Sequence, residues 1–76
     1  MNLPLMRWES KGGAHWVELY STQGVYYYRS TNGGGTLPRQ RNNAAALALM
    51  ESRVEAGEFL PDKAVVPMHR VPPSLG

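Results

Sequence analysis

The sequence predicts an α+β fold in which a three-stranded antiparallel meander packs against one C-terminal α-helix, in the order βββα. Segments rich in Trp, Tyr, Val and Leu alternate with glycine-containing turns, and an alanine-rich run with helical spacing follows them. Proline becomes frequent near the end of the chain. At 76 residues, 42% of them hydrophobic, the chain is expected to form a single small domain over residues 1–61, followed by an extended or flexible tail over residues 62–76.

The three strands are expected over Leu5–Ser10, His15–Ser21 and Val25–Ser30. Side chains alternate between the two sides of a strand, so the turns sort them onto two faces. One face is apolar and has to be covered by other parts of the chain. Its members are Met6, Trp8, Val17, Leu19, Tyr26 and Tyr28.

Two turns set the expected register. Across a two-residue turn at Gly12-Gly13, the predicted pairs are Met6 with Leu19, Arg7 with Glu18, and Trp8 with Val17. Across a turn at Ser21–Gly24, they are Trp16 with Arg29, Val17 with Tyr28, Glu18 with Tyr27, and Leu19 with Tyr26.

The opposite face mixes charged and aromatic side chains. Oppositely charged neighbours across strands help to hold the register. Tyr, Trp and Arg are also the residue types enriched at the energetic centres of protein interfaces, so Arg7, Trp16, Tyr27 and Arg29 are candidate binding residues. The other members of this face are Leu5, Glu9, Glu18, Tyr20 and Val25.

Residues 31–38, with three consecutive glycines, are expected to form a flexible loop. A helix over residues 39–56 should follow, ended by Gly57 in the left-handed conformation. Its apolar positions Leu47, Met50 and Val54 recur at three- and four-residue spacing and should pack on the sheet. The residues that suit the start of this helix as caps are Thr36, Asn42 and Asn43.

Arg39 and Arg41 lie near the start of the expected helix, where cations oppose the helix dipole. An anionic partner, such as a phosphate or an acidic side chain, would relieve this conflict. The simpler interpretation is that two exposed arginines are tolerated at small cost. In the proline-rich tail, His69 and Arg70 form a weakly basic centre and are further candidates for partner contact.

Several function classes lack support in the sequence. The chain has no cysteine and only two histidines, so we expect neither disulfide chemistry nor a metal site, and no cofactor. No Ser-His-Asp arrangement or pair of poised carboxylates is evident, which predicts a protein that is not an enzyme. No run of about 20 apolar residues and no signal peptide is present, so a cytoplasmic location is expected. The net charge of +2 selects no partner class.

A sheet followed by a helix resembles the second part of double-stranded-RNA-binding domains and the DNA-binding domains of some phage integrases. The likeness runs from Val25–Tyr28 through the glycine segment and Arg39/Arg41 to Ala44–Met50. In the RNA-binding family, basic residues at the start of this helix contact phosphates, which implies that role for Arg39 and Arg41. In the integrase version, the mixed sheet face would enter the major groove.

In its size, compact core, loose tail and exposed aromatic face, the whole chain resembles small phage-encoded regulators that bind host RNA polymerase. The resemblance implies a stoichiometric inhibitor of a larger protein, bacterial RNA polymerase, acting in the host cytoplasm. We place this interpretation above nucleic-acid binding because Glu9 and Glu18, within the mixed face, would repel phosphate. We expect the chain to be a monomer, and self-association through the same face is the third alternative.

Overall fold

A computed structural model describes residues 3–61 and 66–72 of the chain. It shows an α+β fold in which five strands form one antiparallel sheet and a single helix lies between the fourth and fifth strands. The elements are β1 (Met6–Ser10), β2 (Trp16–Thr22), β3 (Val25–Ser30), β4 (Gly33–Thr36), α1 (Asn43–Glu55) and β5 (Met68–Val71). Their order across the sheet is β4-β3-β2-β1-β5.

The predicted βββα order is therefore wrong, because the chain adds one strand at each edge of the meander. The glycine segment expected as a loop contains β4, which pairs with β3. Part of the tail expected as irregular forms β5, which pairs with β1. Residues 62–65 and 73–76 of the predicted tail lie outside the described residues.

Glycine is required at one position of β4. A Cβ atom on Gly34 would lie 2.7 Å from the carbonyl oxygen of Tyr28, which is too close for any larger residue. Three glycines are poor strand formers on their own. The strand forms here because glycine lets the β4 backbone approach β3, a tertiary effect that local propensity does not reveal.

The register between β1 and β2 is confirmed, although the turn differs from the expected one. The loop covers four residues, and Ser10 N–H donates to His15 O at 2.9 Å to close it. Because this longer loop is centred on the same two glycines, it preserves the strand pairing. The confirmed pairs are Met6 with Leu19, Arg7 with Glu18, and Trp8 with Val17.

The predicted register between β2 and β3 is wrong by two residues. The turn consists of Gln23 and Gly24, whose φ values of 49° and 79° are both positive, as a two-residue type I′ hairpin turn requires. Leu19 therefore lies opposite Tyr28 and not opposite Tyr26. A shift of two residues leaves every side chain on its predicted face.

The apolar face of the sheet packs under α1 as predicted. Asn42 caps the helix, its Oδ1 accepting a hydrogen bond from Ala45 N–H at 2.9 Å. The helix therefore begins after Arg39 and Arg41, later than the sequence predicts. Leu47 is only partly buried. The buried core consists of Trp8, Val17, Leu19, Tyr26, Leu37, Ala46, Met50, Val54 and Phe59.

Candidate functional site

The sheet face opposite α1, here called the outer face, gathers most of the predicted binding residues. Alternation along the strands places Arg7, Trp16, Tyr27 and Arg29 together on it. His69 joins them, because β5 pairs it with Glu9 of β1. The fifth strand thus brings one tail residue to the same surface, a juxtaposition that the three-strand prediction did not contain.

Arg7 and Glu18 form the centre of a charge network on the outer face. Arg7 Nε donates to Glu9 Oε2 at 2.7 Å, and Arg7 Nη1 donates to Glu18 Oε2 at 2.8 Å. The other oxygen of Glu18 accepts a hydrogen bond from Tyr20 Oη at 2.7 Å. These contacts hold the partly buried side chains in fixed positions, so this part of the surface is organised before any partner arrives.

The same contacts shift two pKa values. Burial disfavours the charged guanidinium of Arg7, but hydrogen bonds and favourable charges from Glu9 and Glu18 outweigh it, so the pKa of Arg7 is raised. Burial raises the pKa of Tyr20, and its hydrogen bond to the Glu18 carboxylate raises it further. Arg7 stays charged and Tyr20 stays protonated at neutral pH.

Tyr20 is a site residue whose position on this face the sequence predicts, but for which its pattern indicates no role. Only 7% of it is exposed, although it lies on the side of the sheet away from the helix. Its ring stacks on Tyr27 with centroids 5.1 Å apart and an interplanar angle of 8°. The clue available in the sequence was its cross-strand proximity to Tyr27, which an accurate β2–β3 register would have shown.

Trp16 and Tyr27 are the half-buried aromatic side chains available to a partner. The guanidinium carbon of Arg7 lies 4.8 Å from the centre of the Trp16 ring, within range of a cation–π interaction. Tyr27 is held by its stack on Tyr20. Both rings therefore lose little conformational entropy when they contact another surface.

Arg29 contributes an exposed cation to the outer face. It lies directly opposite Glu18, but both oxygens of Glu18 already accept hydrogen bonds from other side chains. Within residues 3–61 and 66–72, Arg29 takes part in no ion pair. Arg29 lies close enough to Tyr20 to lower its pKa, which partly offsets the effects of burial and of Glu18, and its exposed charge can also meet an acidic group on a partner.

Arg70 does not lie with His69. Neighbouring residues of a strand point to opposite sides, and Arg70 Nε donates to Glu51 Oε2 of α1 at 2.6 Å. Trp8 Nε1 lies 3.3 Å from each Glu51 oxygen. Arg70 therefore connects β5 to the helix, and the prediction that His69 and Arg70 form one basic centre is wrong.

Arg39 and Arg41 form a second, smaller basic site in the segment that leads into α1. Both are exposed, and with Gln40 and Ala45 they line a shallow hollow. Neither forms an ion pair within the described part of the chain. The first turn of the helix contains no acidic residue, so nothing there offsets the positive charge.

Comparison with known proteins gives no relative from which a function can be transferred: no family model matches the chain, and neither a curated protein nor a solved structure is significantly similar to it. Among the described residues, no helix has the length and apolar character required to cross a membrane.

Proposed function

We propose that this chain is a non-enzymatic binding domain that recognises a larger protein through its outer face. The observation that supports this function is the fixed arrangement of Trp16 and Tyr27 beside Arg7 and the exposed Arg29. Ordered aromatic rings and arginines surrounded by polar groups match the composition of protein interfaces.

The charges of the outer face favour a protein over a nucleic acid as the partner. Arg7 already binds two carboxylates, so it has little capacity left for a phosphate. Glu9 and Glu18 add negative charge among the aromatic rings, which repels a polyanion. A protein surface with its own mixture of charges can complement this pattern, whereas a phosphate backbone cannot.

The proposed partner is bacterial RNA polymerase, with the domain acting in the cytoplasm as a stoichiometric inhibitor of transcription. This choice rests on the resemblance to small phage-encoded regulators described above. It requires only that the domain occupy a functional surface of the enzyme. No catalytic group, cofactor or metal is needed for such a role.

The direct test is the affinity of the purified domain for nuclease-treated bacterial RNA polymerase, measured by biolayer interferometry. We expect the Trp16→Ala, Tyr27→Ala double variant to bind at least about thirtyfold more weakly, since loss of interface hot spots costs at least about 2 kcal/mol. Val25→Ala provides the matched control, because Val25 is 49% exposed at the end of the same face. Circular dichroism of each variant verifies folding.

Two results would reject this proposal: no binding of the wild type to polymerase, or equal affinities for the wild type and the double variant. Retention of binding in moderately raised salt is also expected, because a hot-spot interface depends less on ionic strength than phosphate contacts do.

A second candidate function is nucleic-acid binding through Arg39 and Arg41. The observation in its favour is the exposed, basic hollow before α1. An Arg39→Gln, Arg41→Gln variant should then lose affinity for RNA or DNA and show a shallower salt dependence. If this variant and the wild type bind duplex RNA and DNA with the same affinity and salt slope, the second candidate is rejected.

A further inference from the structure

The edge of the sheet at β4 presents backbone groups that point away from the rest of the sheet. Leu37 N–H donates to Tyr26 O at 2.9 Å, which fixes the hydrogen-bond alternation between β3 and β4. Gly35 consequently bonds towards β3, and the N–H and C=O groups of Gly34 and Thr36 point outward. Within residues 3–61 and 66–72, no other strand pairs with this edge.

The two edges of the sheet differ in their protection against further pairing. β5 is flanked by Pro67 and Pro72 and contains Arg70, features that discourage another strand from adding to an edge. β4 has no charged residue and no proline, and its first three residues have no side chains that could obstruct an approaching backbone. The β4 edge is therefore the one suited to accept another strand.

A cleft beside β4 on the helix side could receive side chains of an added strand. Tyr28 and Phe59 meet there edge to face, with ring centroids 5.1 Å apart. The guanidinium of Arg53 lies 5.1 Å from the Tyr28 ring and 5.4 Å from the Phe59 ring. Gly33 and Gly34 line the same cleft, so it is continuous with the open edge.

On the side of β4 that faces away from the helix, the neighbouring charge is positive. Arg29 is exposed and lies directly opposite Gly34 in the β3–β4 pairing. Gly34 has no side chain that could stand between Arg29 and a strand added at the edge, and the Arg29 guanidinium also approaches Tyr20 of β2, whose pKa it lowers. On the cleft side, the carboxylate that pairs with Arg53 belongs to Glu58 and is itself 45% exposed, so that pair is weak.

We propose that β4 binds an extended, acidic segment of a partner protein by strand addition. The backbone of the segment would hydrogen-bond to Gly34 and Thr36. Its acidic side chains, on alternate residues, would face Arg29, while the intervening apolar side chains would contact Tyr28 and Phe59 in the cleft. This edge site adjoins the outer face, because Tyr27 and Arg29 of β3 pair with Thr36 and Gly34. Its test uses peptides in place of polymerase, so its failure is distinguishable from a failure of the proposed function.

The probe is a synthetic capped peptide of alternating Asp and Val. A peptide with Lys in place of Asp is the control for charge. A peptide N-methylated on the amides that would face β4 is the control for backbone hydrogen bonds. The informative variant is Thr36→Pro, because the Thr36 N–H points outward and its loss removes no hydrogen bond to β3. Thr36→Val is the matched control, since it keeps the N–H. Fluorescence anisotropy of labelled peptide reports affinity, and amide exchange by NMR reports the site.

We expect the Asp peptide to bind roughly two- to tenfold more weakly to Thr36→Pro than to Thr36→Val, the effect of one lost hydrogen bond. In the wild type it should slow exchange of the Gly34 and Thr36 amides, a readout that does not depend on the folding of any variant. Equal binding of the Asp and Lys peptides, or unchanged exchange at these two amides, would overturn the proposal. The proposal would also be overturned if the protein without peptide had twice the mass of one chain and its Gly34 and Thr36 amides were already protected, because a second copy would then occupy the edge.

Discussion

Replacement of Glu18 tests whether the charge network of the outer face stabilises the fold. Glu18→Gln preserves the size of the side chain but leaves one acceptor oxygen where the carboxylate has two. The amide oxygen can then accept from Arg7 while the amide NH2 donates to Tyr20 Oη, so both hydrogen bonds lose their negatively charged acceptor and Arg7 loses an ion pair. Hydrogen bonds to charged groups contribute about 1.5–3 kcal/mol and neutral ones about 0.5–1.5 kcal/mol. With the Glu18 side chain only 16% exposed, water replaces little of this loss, and we expect destabilisation of about 2 kcal/mol.

The assay is urea denaturation at neutral pH, followed by far-ultraviolet circular dichroism. Glu9→Gln is the matched control: Glu9 also binds Arg7 but accepts one hydrogen bond from it and is 29% exposed. Replacement of the Glu9 carboxylate should lower the free energy of unfolding by about 1 kcal/mol or less. If the two variants unfold at the same urea concentration, Glu18 is not the centre of the network and the reasoning is refuted.

Three further predictions concern single residues. The pKa of Tyr20 is raised by burial and by Glu18, so the stability that its protonated form contributes is complete below about pH 10 and is lost as pH rises through the higher folded-state pKa. Between about pH 8 and 11, the urea midpoint of Tyr20→Phe should therefore fall less than that of the wild type, and parallel curves would contradict this. Gly34→Ala should destabilise the protein by about 1–3 kcal/mol and speed amide exchange along β4, because the added Cβ would approach Tyr28 O. Exchange rates equal to those of the wild type would count against this close approach. Trp8→Phe should lower the free energy of unfolding by about 2–3 kcal/mol, because it opens a void in the core and removes the N–H that meets Glu51. Thermal denaturation measures this loss, and an unchanged Tm would show that the contact is dispensable.

The central part of the fold could be predicted because its pattern is local. Alternation of apolar and polar residues assigned the faces of β1, β2 and β3, and the paired glycines at positions 12 and 13 set the first register. The second register failed at Gln23. A non-glycine residue with positive φ gives no distinctive signal in a single sequence, so the shorter turn was not recognised.

The two edge strands could not be predicted, because tertiary contacts make them. Local propensity favours a loop for Gly33–Thr36, and the strand depends on close approach to β3. The short strand Met68–Val71 lies among prolines and gains its structure from β1 and from the ion pair between Arg70 and Glu51. Missing this strand misplaced Arg70, whereas the candidate residues of the central strands were placed together correctly.

The pairing of β1 with β5 has a kinetic consequence. Arg7 and Val71 are partners although most of the chain lies between them, and closure of such a long loop is entropically costly. The two hairpins of β1, β2 and β3 join residues that are near in sequence, so they should form early, with β5 added late. During synthesis, β1 therefore stays an open edge until the ribosome has released Met68–Val71. For that interval the nascent chain exposes a strand that the finished sheet covers.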